Sequence, residues 1–136
     1  MAAALNPYIQ FLDNARQAME FYQGVFGGEL TLNTFGSYGA QGADADKIMH
    51  ADLQADNGFR LMASDTPAGM ERTSGTNISI SLSGDDSDTL HRYWDQLSAD
   101  GSVSVPLAKQ MWGDEFGQCT DRFGTSWMVN IAGPQG

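Results

Sequence analysis

Residues 49–55 alternate in type: Met49, Ala51, Leu53 and Ala55 are apolar, and His50, Asp52 and Gln54 lie between them. A period of two predicts a strand with one buried face. Asn57-Gly58, a strong hairpin dipeptide, follows. Phe59, Leu61 and Ala63 then alternate with Arg60, Met62 and Ser64. The second half of the chain repeats the pattern. Ile78, Ile80 and Leu82 alternate with Asn77, Ser79, Ser81 and Ser83, and Val103, Val105 and Leu107 with Ser102, Ser104 and Pro106. Trp127, Val129 and Ile131 alternate with Ser126, Met128 and Asn130. Near the N-terminus, Pro7, Ile9, Phe11 and the intervening Tyr8, Gln10, Leu12 are both largely apolar, so period alone does not orient that strand.

Two segments carry helical spacing instead. Ala15, Ala18, Met19, Tyr22, Val25 and Phe26 form one stripe, stopped by Gly27-Gly28. Asn14 and Gln17 have the spacing of a capping box. Leu90, Tyr93, Trp94 and Leu97 form a second stripe, closed at Gly101. Asp85-Asp86-Ser87-Asp88 precedes it, where a helix start favours negative charge, so capping rather than metal binding is expected.

In order, the chain reads strand, helix, three strands, and then the same again. Tyr22 and Trp94 hold matching places in the two helices. This predicts an α+β protein of two tandem βαβββ units, at about 5–66 and 76–133, each a mostly antiparallel curved sheet covered by one helix. The link from Thr66 to Thr76 carries Pro67, Gly69 and Gly75. A single domain spanning 1–136 is expected, because each unit has one helix to cover one sheet. If the apolar sets pack on the helices, the opposite, concave face carries His50, Asp52, Arg60, Met62, Asn77, Ser79, Ser81, Met128 and Asn130.

Charge narrows the partners. Seven Lys and Arg stand against 17 Asp and Glu, a formal charge of −10 that repels nucleic-acid backbones and anionic membranes. Cys119 is the one cysteine, so no intrachain disulfide forms. The N-terminus lacks a basic region followed by a long apolar run, and no apolar run approaches the roughly 20 residues of a membrane helix. A cytoplasmic protein is expected, with neither nucleic acid nor membrane as partner.

Pro7-Tyr8 with Phe11, Phe21-Tyr22, Gly27-Gly28-Glu29-Leu30, Met49-His50-Ala51 and Leu61-Met62-Ala63-Ser64-Asp65 recur in a recognisable order. Trp112, Phe116-Gly117, Thr120-Asp121, Phe123-Gly124 and Trp127-Met128-Val129-Asn130 complete it. With the paired βαβββ units, these residues resemble the vicinal oxygen chelate superfamily: glyoxalase I, bleomycin-resistance proteins and extradiol dioxygenases. Within it the chain is similar to the PhnB-like branch, and the resemblance implies the glyoxalase/bleomycin-resistance fold and a homodimer. The methyltransferase name common in that branch finds no support in the residues. A Rossmann-type site needs a glycine-rich turn between strand and helix of a parallel sheet. The segment FGSYGAQGADAD reads as a flexible loop, without the ending of a P-loop.

Enzymes of that superfamily hold a divalent metal on the first, fourth, fifth and eighth strands. The resemblance puts those positions at Pro7, Arg60 or Met62, Ser79 and Met128. None is a normal ligand for such an ion, thioether sulfur being too soft, so neither metal nor other cofactor is expected. No catalytic residue is assigned. His50 and Asp52 share one strand face and are expected to pair with each other or with Arg60. Cys119 reads as a small buried hydrophobe, and His91, off its helix's apolar stripe, as solvated. The expected function is metal-free binding of a small, partly apolar molecule by His50, Asp52, Met62, Ser79, Trp112, Met128 and Asn130. The alternative is a metal-dependent lyase, isomerase or dioxygenase of the same superfamily.

Overall fold

The computed structural model describes residues 4–70, 75 and 77–133. The chain divides into two compact units, Met1–Ser74 and Gly75–Gly136. Residues 71–74 and 76 of the expected link lie outside the described residues.

The first unit runs β1 (Tyr8–Phe11), α1 (Ala15–Phe26), β2 (Glu29–Thr34), β3 (Ile48–Gln54) and β4 (Arg60–Asp65). Its sheet has the order β1-β4-β3-β2, parallel between β1 and β4 and antiparallel elsewhere. The predicted stripe of α1 is buried, and the helix packs across β3, β2 and β4. Phe11, Ile48, Ala51, Leu53, Leu61 and Ala63 complete this core. Full burial of a large apolar side chain contributes about 1.5–3 kcal/mol, so the two periodicities select this packing. The strand that alternation left unoriented is now fixed. Phe11 is buried and Tyr8 is 49% exposed, so Tyr8 and Gln10 lie on the face away from α1.

The expected capping box at Asn14 does not form; its side chain makes no capping hydrogen bond. The start of α1 is held instead by a residue distant in sequence. Asp65, 4% exposed, accepts from the Ala15 amide at 2.9 Å and the Ile48 amide at 2.8 Å. The buried carboxylate satisfies the first of the unpartnered amides at the start of α1.

The loop between β2 and β3 is more organised than its glycines suggest. It contains two 3-10 turns, Gly36–Tyr38 and Gly42–Asp44. Thr34 and Ser37 exchange hydrogen bonds, the Gly36 amide donates to the Ala45 carbonyl at 2.8 Å, and Lys47 meets Asp44 at 3.3 Å. Asn57-Gly58 makes the predicted turn, with Gly58 at φ 82°.

The second unit runs β5 (Ile80–Gly84), α2 (Ser87–Ser98), β6 (Ser102–Lys109), β7 (Glu115–Thr120) and β8 (Ser126–Ile131). Its order, β5-β8-β7-β6 with β5 and β8 parallel, repeats the first unit. Asp86 caps α2 as the acidic cluster predicted, accepting from the Thr89 amide and hydroxyl. Leu90, Tyr93, Trp94 and Leu97 are buried on the helix side, with Cys119, Trp127, Val129 and Ile131 below them. Gly117 makes room for Trp94, because a Cβ there would meet the indole ring at 2.8 Å.

Two strand expectations are corrected. Ile78 and Ser79 precede β5, and Ile78 is 79% exposed. Val103, placed by alternation on the buried side, is 47% exposed. It lies on the end strand β6, whose pairing with β7 shifts register between Val103 and Val105 and again before Ala108. Such irregularities turn side chains away from strict alternation, and Pro106 cannot donate to a ladder.

Candidate functional site

On the first sheet, the face away from α1 is built in rows by strand register. Tyr8 of β1 pairs with Met62 of β4, Met62 with Asp52 of β3, and Asp52 with Thr31 of β2. His50 pairs with Asn33, and its ring lies 5.9 Å from that of Tyr8. The expected cross-strand pair forms: Arg60 Nε and Nη2 donate to the two Asp52 carboxylate oxygens at 3.0 and 2.6 Å. The guanidinium holds the Asp52 carboxyl below the usual carboxylate range, against the opposing effect of burial. Asp52 is therefore a fixed anion whose counter-charge is already in place, unsuited to act as a base.

The second sheet presents matching rows. Met128 of β8 lies between Ser81 of β5 and Gln118 of β7, and Asn130 between Ser83 and Phe116. Ser79 hydrogen bonds to Ser126, oxygen to oxygen, at 2.6 Å. The Asn130 amide donates to Asp114 at 3.0 Å, and the Gly133 amide donates to the other Asp114 oxygen at 2.8 Å. These contacts, the Gly133 amide first, hold the Asp114 carboxyl below its ordinary value. Trp112 lies on the turn between β6 and β7, 60% exposed, with its ring 6.4 Å from Phe116. The structure thus brings His50, Asp52 and Met62 together on one sheet and Met128 and Asn130 on the other, while Ser79 lies just before β5, bonded to Ser126. Tyr8, Asn33 and Gln118 share those faces and were missed. Only pairing register, which one strand's sequence does not contain, reveals them.

Cys119 is fully buried beside Trp127, and burial pushes its thiol up to about 11. A thiol so held is not a nucleophile. His91 is not simply solvated: its Nε2 meets the Glu115 carboxylate at 3.2 Å. This corrects the expectation, which considered only the helix carrying His91 and not the strand beneath it.

The comparisons agree with this architecture. A family model described as the Glyoxalase/Bleomycin resistance protein/Dioxygenase superfamily matches residues 4–129. The chain belongs to this superfamily.

The protein YjdN of Escherichia coli K12 is 27% identical, over 96% of this chain and 97% of that one. The crystal structure of protein PA1353 from Pseudomonas aeruginosa is 37% identical, with a TM-score of 0.86, covering 96% of this chain and 98% of that one. A Bacillus cereus protein described as a putative 3-demethylubiquinone-9 3-methyltransferase, PhnB protein, is 21% identical with a TM-score of 0.75, covering 96% of this chain and all of that one. At that identity the likeness is one of fold.

The positions that the resemblance aligns with metal ligands are Pro7, Arg60 or Met62, Ser79 and Met128. The Pro7 carbonyl accepts from the Met62 amide at 3.1 Å. Arg60 is cationic and committed to Asp52, Ser79 is bonded to Ser126, and Met62 and Met128 offer thioethers. This donor set does not fit a hard or borderline divalent ion.

Proposed function

We propose that the protein is a PhnB-like binding protein whose sheets each offer, on the face away from their helix, a surface for a small, partly apolar molecule, without a metal. One observation carries this reading. Met62 and Met128 sit in matching places of the two units, each half-buried in a row of largely polar neighbours, on the face that no helix of its own unit covers. A flexible apolar side chain set among hydroxyl, amide and carboxylate groups suits a ligand that is partly apolar and partly hydrogen-bonding. Tyr8 and His50 add aromatic surface on the first sheet, and Trp112 and Phe116 add it on the second. With Asp52 neutralised by Arg60, no catalytic acid or base is assigned. The ligand class is compact and uncharged or weakly cationic, given the formal charge of −10. The single cysteine, buried and without a disulfide partner, suits a reducing compartment, and we place the protein in the cytoplasm.

Titration with benzamide, an uncharged and partly apolar probe, tests the reading. Saturable amide shifts are expected at His50, Met62, Met128 and Asn130. Tryptophan fluorescence should respond, and Trp112→Phe should remove most of that response. His50→Ala should weaken binding about tenfold, equivalent to about 1.4 kcal/mol. Unchanged affinity and signal in both variants, with circular dichroism intact, would place the ligand elsewhere.

A further inference from the structure

The two units close the same corner of their folds in different ways. In the first, the space at the start of α1 is filled from within. The Asp65 carboxylate lies on the Ala15 and Ile48 amides, the Thr66 hydroxyl donates to the Phe11 carbonyl at 2.9 Å, and Lys47 Nζ donates to the Thr66 carbonyl at 3.1 Å. Strand register fixes the equivalence of the two corners. Asp65 pairs with Phe11 at the end of the β1–β4 ladder, and Ile131 pairs with Gly84 at the end of the β5–β8 ladder. Ile131 therefore stands where Asp65 stands, and Ala132 where Thr66 stands. Neither side chain can make the polar contacts of its counterpart.

The corner of the second unit is accordingly open. A groove of about 620 Å³ remains, with Asp85, Ser87, Lys109, Glu115, Ala132 and Gly133 among its lining residues. That volume falls in the range of small-molecule sites. Its wall is pre-formed: Gly133 is tied to Asp114, and a Cβ at Gly133 would collide with the Gly113 carbonyl.

The charges in the groove are not matched to one another. Lys109 and Glu115 pair in register on β6 and β7, the placement in which a cross-strand ion pair forms. Glu115 turns instead to His91, and Lys109 makes no ion pair among the described residues. The chain has two lysines. The other, Lys47, is engaged with Asp44 and the Thr66 carbonyl.

We propose that this groove is a second ligand site, separate from the open sheet faces, which takes a small organic monocarboxylate. The ligand's carboxylate would take Lys109 as its counter-charge, with its apolar body against Ala132 and Gly133. Asp85 and Glu115 select against dianions, because a second negative charge would face a carboxylate in the lining.

Benzoate, with benzamide as its neutral match, tests the site by amide chemical shifts of the whole protein. Benzoate is expected to give saturable shifts at Ser87, Lys109, Gly113 and Gly133 that benzamide does not reproduce. Lys109→Gln, a change at an exposed position, should weaken benzoate binding at those amides about tenfold while the rest of the spectrum stays in place. Absence of saturable shifts there, equal shifts from benzamide, or equal affinity in Lys109→Gln would overturn the proposal. Failure of the open-face reading would appear at Met62 and Met128 instead, so the two readings stand or fall separately.

Discussion

The Trp127 indole N–H donates to the Asp121 carboxylate at 2.8 Å, beneath a turn that the same carboxylate organises. The other Asp121 oxygen accepts from the Phe123 and Thr125 amides, at 2.9 and 3.1 Å, and the residue is 3% exposed. One buried side chain thus satisfies three donors and fixes the turn between β7 and β8. Asp121→Ala removes the buried carboxylate that these donors share, and we expect a loss of about 2–3 kcal/mol in stability. Urea unfolding measures it; a loss below about 0.5 kcal/mol would mean that the donors find other partners.

Asp52 and Arg60 give a pH-dependent prediction. The folded Asp52 carboxyl is depressed by Arg60, so its contribution to stability is present above the unfolded value of about 3.9 and is lost as pH falls through the folded value. Arg60→Gln should move the Asp52 titration up toward the ordinary range and shrink this acid-side loss. Carboxyl NMR of both proteins checks the shift; an unchanged Asp52 midpoint would show that Arg60 is not its cause.

Cys119 should be inert in the folded protein. With the thiol raised to about 11, only about one molecule in a thousand carries a thiolate at pH 8, and the side chain is fully buried besides. Ellman's reagent should react fully only after urea is added. Rapid reaction in native buffer would reveal an opening of β7 and β8 that the packing does not suggest.

Metal analysis addresses the alternative chemistry of the superfamily. Pro7, Arg60 or Met62, Ser79 and Met128, at the four positions that the resemblance aligns with metal ligands, predict no stoichiometric transition metal in the purified protein. About one zinc, nickel, iron or manganese per chain, removable only by chelator, would restore a metal-dependent lyase, isomerase or dioxygenase as the leading reading.

A homodimer is the expected assembly. Strands β1, β2, β5 and β6 end their sheets, and Leu12, Ile78 and Val103 are exposed in the single chain. Pairing about a twofold axis is the commonest way to cover such edges and surface. Sedimentation equilibrium at micromolar concentration should return twice the chain mass, and a monomer mass would refute it.

By itself the sequence determined both βαβββ units, both helices with their buried stripes, the Asn57-Gly58 turn and the burial of Cys119. Those features depend on local period and turn chemistry, which neighbouring residues carry. Tertiary structure decided the rest. Asp65, fifty residues from Ala15, came to hold the first amide of α1. His91 acquired Glu115 because β7 runs beneath α2. Val103 became exposed because β6 is an end strand with shifted register. Tyr8 joined Met62, and Lys109 came opposite Glu115, only through strand register. Each strand's alternation says which residues share a face, but only the pairing of distant strands says which of them become neighbours.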